Sequence, residues 1–159
     1  MNSTTEFSIM ESHYVNFHIT YSSTHLAWFQ FFENTVKIEP LLIFIHHQIV
    51  ICFVDPINFQ EILRKWNTYI KYCRTKPEFH VRFIKYSQDL KEIIESWYSS
   101  VKDLEVSISF VQNSYNILLK VPKKYRKFLI GKNGKEIEML VSFLESCITG
   151  NFQYSLKIK

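Results

Sequence analysis

Val121-Pro122-Lys123-Lys124-Tyr125-Arg126-Lys127-Phe128-Leu129-Ile130-Gly131-Lys132-Asn133-Gly134-Lys135-Glu136-Ile137 decides how the rest of the chain is read. The chain holds three glycines, and two of them, Gly131 and Gly134, bracket Lys132-Asn133 where a basic segment gives way to an apolar-striped one. A glycine at each corner permits a tight turn between two helices and removes the Cβ atoms that would hold a polyanionic backbone away. The amide N–H groups that open a helix lack intrahelical acceptors and sit at the positive end of its dipole, so they favour a phosphate there. Lys132 adds a mobile cation beside them, and Lys127 and Lys135 flank the turn.

Beyond the turn, helical spacing places Ile137, Leu140, Val141, Leu144 and Ile148 on one stripe, with Gly150 as a left-handed helix stop. Phe152, Tyr154, Leu156 and Ile158 then alternate with polar residues, which predicts a strand with one buried face. Upstream, Leu90, Ile93, Ile94, Trp97 and Val101 predict a helix. Val106, Ile108 and Phe110, a turn at Asn113-Ser114, and Ile117, Leu119 and Val121 predict a hairpin. From Gln88 the order is therefore helix, strand, strand, short basic helix, helix, strand.

The preceding half has a similar order, with a helix over residues 24–36, a hairpin over 41–54, a helix over 57–73 and a strand over 79–86. The expected fold class is α+β, with one module at 1–87 and a second at 88–159 joined by the short polar turn Ser87-Gln88. An added strand over 14–20 is expected to extend the first sheet. The stretch between the second hairpin strand and the last strand is shorter in the first half and contains no glycine. The halves are either a degenerate repeat or a coincidental succession of similar elements. Trp28, Phe29, Phe31 and Phe32 make a helix apolar nearly all round, so either the other half or a protein partner, such as a second copy, is expected to cover it.

Charge is unevenly divided. From Asn113 on, nine Lys/Arg face three Glu, a local net of +6; of the chain's 19 basic and 15 acidic residues, ten and twelve remain before it, a net of −2. Such asymmetry favours a polyanionic partner for the carboxy-terminal part, an ordinary solvated basic face being the alternative. Cys52, Cys73 and Cys147 are odd in number and widely spaced, which indicates neither a disulfide framework nor a paired-cysteine zinc site and fits a reducing compartment, the cytoplasm or an organelle interior. His46-His47 with Cys52, and His80 with Cys73, match no zinc spacing. Residues 1–5 lack the marks of a secretory or transit signal, and the apolar run 41–54 is too short to span a bilayer as a helix. No nucleophile elbow, phosphate loop of the nucleotidase kind or apolar-set carboxylate pair is present, so a non-enzyme without cofactor is expected.

The core stretch resembles the KH domain. Ile130 before the first glycine, Lys132 inside the loop, and Ile137 three positions after the second glycine match that family's motif, confined here to residues 121–140. The likeness extends over about 88–159, and an extra helix and strand ahead of the core look like the type II arrangement of bacterial ribosome-associated and transcription proteins, a module that ends where this chain ends. The resemblance implies single-stranded RNA, less often DNA, gripped over about four nucleotides with its backbone on the GxxG loop. Carried over, Gly131, Lys132, Asn133 and Gly134 form the loop, Lys127 and Lys135 add phosphate contacts, and Ile130 and Ile137 are either groove floor or core. Lys127 departs from the family, where a glycine commonly stands. The implied partner is a single-stranded RNA segment, ribosomal RNA included. The competing reading is a protein–protein adaptor or structural ribosomal component that keeps the fold as scaffold.

Overall fold

The computed structural model describes residues 13–73 and 78–159, so the segment 1–5 lies outside the described residues, as does most of the remaining amino terminus. The fold is α+β and divides into two compact units, Thr20–Tyr86 and a second that joins Ser87–Lys159 to the described residues ahead of Thr20.

In the first unit, helix α1 (Ser23–Phe31) runs into a wider turn, Phe32–Val36, that ends on Lys37 in the left-handed conformation. Strands β1 (Leu42–His46) and β2 (Ile49–Val54) pair antiparallel, in register Leu42↔Phe53 to His46↔Ile49, across the two-residue turn His47-Gln48. Asp55 accepts a hydrogen bond from the Ile57 amide at 3.0 Å, and Pro56 pre-sets the backbone for the short turn that leads into α2 (Phe59–Tyr72). Strand β3 (His80–Lys85) then lies parallel to β2, from Ile49↔His80 to Val54↔Lys85. A parallel pair requires a crossover, and α2 supplies it.

Aromatic residues of the segment 28–32 pack within their own unit, although no side chain of α1 itself is fully buried. Phe32 is fully buried, its ring 5.8 Å from those of both Trp66 and Phe83, while Trp28 meets Phe79 at 5.4 Å and Phe31 meets Tyr69 at 5.5 Å. Trp66 of α2 and Phe83 of β3 thus close on the same ring and lie 5.6 Å from each other.

The second unit repeats this order with one helix more. Asp89 caps α3 (Leu90–Trp97) by accepting from the Lys91 amide at 3.1 Å, and Leu90, Ile93, Ile94 and Trp97 are buried on one stripe. Each such side chain contributes about 1.5–3 kcal/mol on burial. The helix stops before Val101, which lies in a turn with its amide donating to the Tyr98 carbonyl at 2.9 Å. Ser99-Ser100 intervene, and serine competes for backbone hydrogen bonds within helices.

Strands β4 (Glu105–Val111) and β5 (Ser114–Lys120) form an antiparallel hairpin, Glu105↔Lys120 to Val111↔Ser114. Its turn is Gln112-Asn113, one residue earlier than Asn113-Ser114, and both residues have positive φ, as a twist-matched two-residue hairpin turn requires. Helices α4 (Arg126–Ile130) and α5 (Lys135–Cys147) follow, and β6 (Gln153–Ile158) runs parallel to β5, Ser114↔Gln153 to Leu119↔Ile158. In both sheets the second hairpin strand is central.

Three further expectations are corrected in this unit. The segment 14–20 does not extend the first sheet; residues 13–18 lace the start of α3 to the end of α5. The Val15 amide donates to the Gln88 carbonyl and the His18 amide to the Cys147 carbonyl, at 2.8 and 2.7 Å, with isolated bridges Tyr14↔Asp89 and Phe17↔Ile148. Val15 is buried there and Phe17 packs 6.2 Å from Phe143, so apolar fit assigns the segment to this unit. The stripe of α5 turns toward Met139, Leu140, Phe143, Leu144 and Cys147, and Ile148 is buried as an extended residue just beyond the helix. Gly150 therefore stops no helix. It sits in the turn before β6 at φ +117, where an added Cβ would lie 2.3 Å from the Phe152 ring.

Candidate nucleic-acid interface

β5 leads through Val121-Pro122 into a basic turn, Lys123–Tyr125, that continues as α4. Leu129 is fully buried and fixes α4 to the unit beneath, and the Tyr98 hydroxyl donates to its carbonyl at 3.3 Å. The last bond of α4 is the Gly131 amide on the Lys127 carbonyl, 2.8 Å. The chain then reverses within Gly131-Lys132-Asn133-Gly134 and enters α5 at Lys135.

The two glycines serve different ends. Gly131 has φ +77 and ψ 170, a conformation essentially confined to glycine, and a Cβ there would meet the Glu136 amide nitrogen at 2.8 Å and its Cγ at 2.6 Å. Its lack of a side chain lets the bend close on α5. Gly134 is left-handed, φ +73 and ψ 13, and a Cβ there would meet nothing within 4 Å. That side of the bend is open to an approaching molecule. Asn133 is also left-handed, φ 57, which asparagine tolerates better than most residues. The Gly134 amide closes the turn on the Gly131 carbonyl at 3.1 Å.

Lys127, Lys132, Asn133 and Lys135 are exposed, and Gly131 and Gly134 are half-buried. Residues 120–135 hold seven basic side chains, Lys120, Lys123, Lys124, Arg126, Lys127, Lys132 and Lys135, and no acidic one. None of these seven forms a salt bridge to a described residue. Unpaired cations of one sign in so short a stretch sum to a local positive field. Glu136 and Glu138 in the first turn of α5 stabilise that helix through its dipole and oppose an anion at the bend, which limits the attraction.

Ile130 and Ile137 separate from the core. Ile130 is 40% exposed, since Leu129 takes the inward position on α4; Ile137 is half-buried, and so is Val141 four residues on along the same face of α5. Phe128 belongs with them although the motif does not call for it. It is 66% exposed, its ring 6.3 Å from that of Tyr125, over which the Lys124 ammonium sits at 5.1 Å. An aromatic pair three residues apart inside a basic run is the signal that would have found it.

No family model and no curated protein matches this chain. Among solved structures, the crystal structure of APE1850 is similar, with a TM-score of 0.67 at 16% identity, covering 87% of this chain and 100% of that one. A likeness at that identity speaks for the fold alone. Among the described residues, no helix is long and apolar enough to cross a membrane.

Proposed function

We propose that the chain is an RNA-binding protein, without catalytic activity, that clamps a short single-stranded segment on the Gly131-Lys132-Asn133-Gly134 bend of a KH type II-like module. The observation that carries this reading is the exposed bend itself. Its outer glycine has open space where a Cβ would stand, and seven basic side chains and no acidic one surround it in sequence. A sugar–phosphate backbone is the ligand whose charge and width suit a side-chain-poor positive turn. The order α-β-β-α-α-β of the second unit is also that of the type II module.

On this reading Lys132, Lys127 and Lys135 take phosphates, Asn133 offers a side-chain amide, and Ile130 and Ile137 contact bases beside the loop. The first unit, with the same helix–hairpin–helix–strand order but no glycine-bracketed bend, is a degenerate copy that serves as scaffold. A clamp of about four nucleotides engages few phosphates, so useful affinity requires a second site or a host particle such as a ribosome. Either an organelle interior or the cytoplasm provides such a setting.

The test is titration of labelled single-stranded RNA against wild type and the double variant Lys132→Asp/Asn133→Asp. The variant changes the bend by three negative charges, and its affinity falls tenfold or more, on the order expected for lost phosphate contacts, while the melting temperature is kept. Equal binding by both proteins counts against the clamp.

A further inference from the structure

An exposed phenylalanine in a soluble protein is common, but one held within a cationic turn beside a proposed phosphate site is not neutral in its chemistry. Phe128 lies three residues before Gly131, about 4.5 Å of helix rise from the bend. It stands on one side of buried Leu129 and Ile130 on the other, so the tip of α4 presents an apolar side chain on both flanks. The flank of Phe128 is backed by Tyr125, whose ring is tilted 46° to it, and Lys124 holds its ammonium against the tyrosine ring. Phe128 is thereby left 66% exposed, with the Lys124 ammonium on the far partner of the aromatic pair.

We propose that Phe128, supported by Tyr125 and Lys124, is a stacking platform for one unpaired nucleobase adjacent to the nucleotides held on the bend. The inference rests on the RNA-binding reading and extends the footprint by a base. Charge selects the occupant. An apolar protein surface laid over this turn would cover the lysines of its basic run, whereas a nucleotide brings a π-face for the ring and a phosphate for those lysines in one ligand. Stacking of this kind is tolerant of sequence, because every base has such a face.

The experiment uses the full chain, a short labelled single-stranded RNA, and the same RNA with one abasic site moved through its length. Phe128→Leu keeps an apolar side chain and loses the aromatic face; Phe128→Tyr keeps both. Phe128→Leu weakens binding about fivefold or more, within the range for one stacked base, and Phe128→Tyr binds as wild type. At one abasic position wild type and Phe128→Leu bind alike. If Phe128→Leu matches wild type on the intact RNA while Lys132→Asp/Asn133→Asp has lost affinity, the platform is overturned and the clamp stands. If the Phe128→Leu loss persists at every abasic position, the ring stacks on no base and the platform is overturned. If no protein binds the RNA, both readings fall.

Discussion

Replacing each loop glycine by alanine separates a structural requirement from an open approach. At Gly131 the backbone, φ +77 and ψ 170, lies where non-glycine residues are strained by about 1–3 kcal/mol. The new methyl also meets the Glu136 amide nitrogen and Cβ at 2.8 Å, and forcing such a contact costs about 1–3 kcal/mol more. The sum is on the order of 2–6 kcal/mol. At Gly134 the left-handed backbone alone is unfavourable, by about 1–2 kcal/mol, because the methyl enters empty space. The two variants should therefore differ by about 2 kcal/mol, or roughly 8–16 °C in melting temperature for a unit of this size. Of the chain's three tryptophans only buried Trp97 belongs to the second unit, so its indole signal in heated NMR samples reports that unit alone. Equal destabilisation, or the larger loss at Gly134, refutes the assignment of Gly131 to closure against α5. Provided it remains folded, Gly134→Ala also puts a methyl where the RNA backbone approaches, and its affinity for RNA falls.

Other consequences are as direct. With about three phosphates engaged by a four-nucleotide clamp, the salt slope is near −2, so raising salt fourfold weakens RNA binding roughly twentyfold; a flat response in a filter-binding series contradicts a phosphate clamp. Burial pushes the Cys52 thiol up, and pushes that of Cys147 up to about 11 despite the hydrogen bond to Ser146. A thiol reagent at pH 8 should thus modify half-buried Cys73 alone and reach the other two only on unfolding; rapid reaction of all three would sink that order. The Tyr154 hydroxyl is buried with no hydrogen-bond partner among the described residues, and burial, aided by Tyr115 and Glu145, pushes the phenol from 10.0 up to about 12. The folded state keeps a proton that the unfolded chain releases, so stability present below pH 10 is lost as pH rises through about 12. Tyr154→Phe leaves stability at pH 7 unchanged or raised by up to about 1 kcal/mol and flattens the alkaline decline; a clear loss at pH 7 shows a partner for the hydroxyl.

Local patterns were legible and non-local ones were not. The second hairpin and β6 follow from alternation, α3 from helical spacing, and the first hairpin from its apolar run, since Val50 to Val54 are buried at consecutive positions. The allegiance of Val15 and Phe17 escaped that logic, since a short apolar segment carries no mark of which core it enters. Gly150 misled because α5 already ends at Cys147, with Ile148 extended, and the glycine is required by the Phe152 ring instead. In the candidate site the bend could be read from Gly131 and Gly134. The phase of α4 could not, because five residues fit several rotations, and only the fold shows Leu129 inward with Phe128 and Ile130 outward.

The most direct measurement is a backbone amide NMR titration of the full chain with short single-stranded RNA. The account predicts that the largest shifts fall on Gly131, Lys132, Asn133, Gly134 and Lys135, extend to Phe128, and spare Gly150 and the strands of the first unit. Shifts confined to other surfaces, or none at concentrations that saturate binding, contradict it.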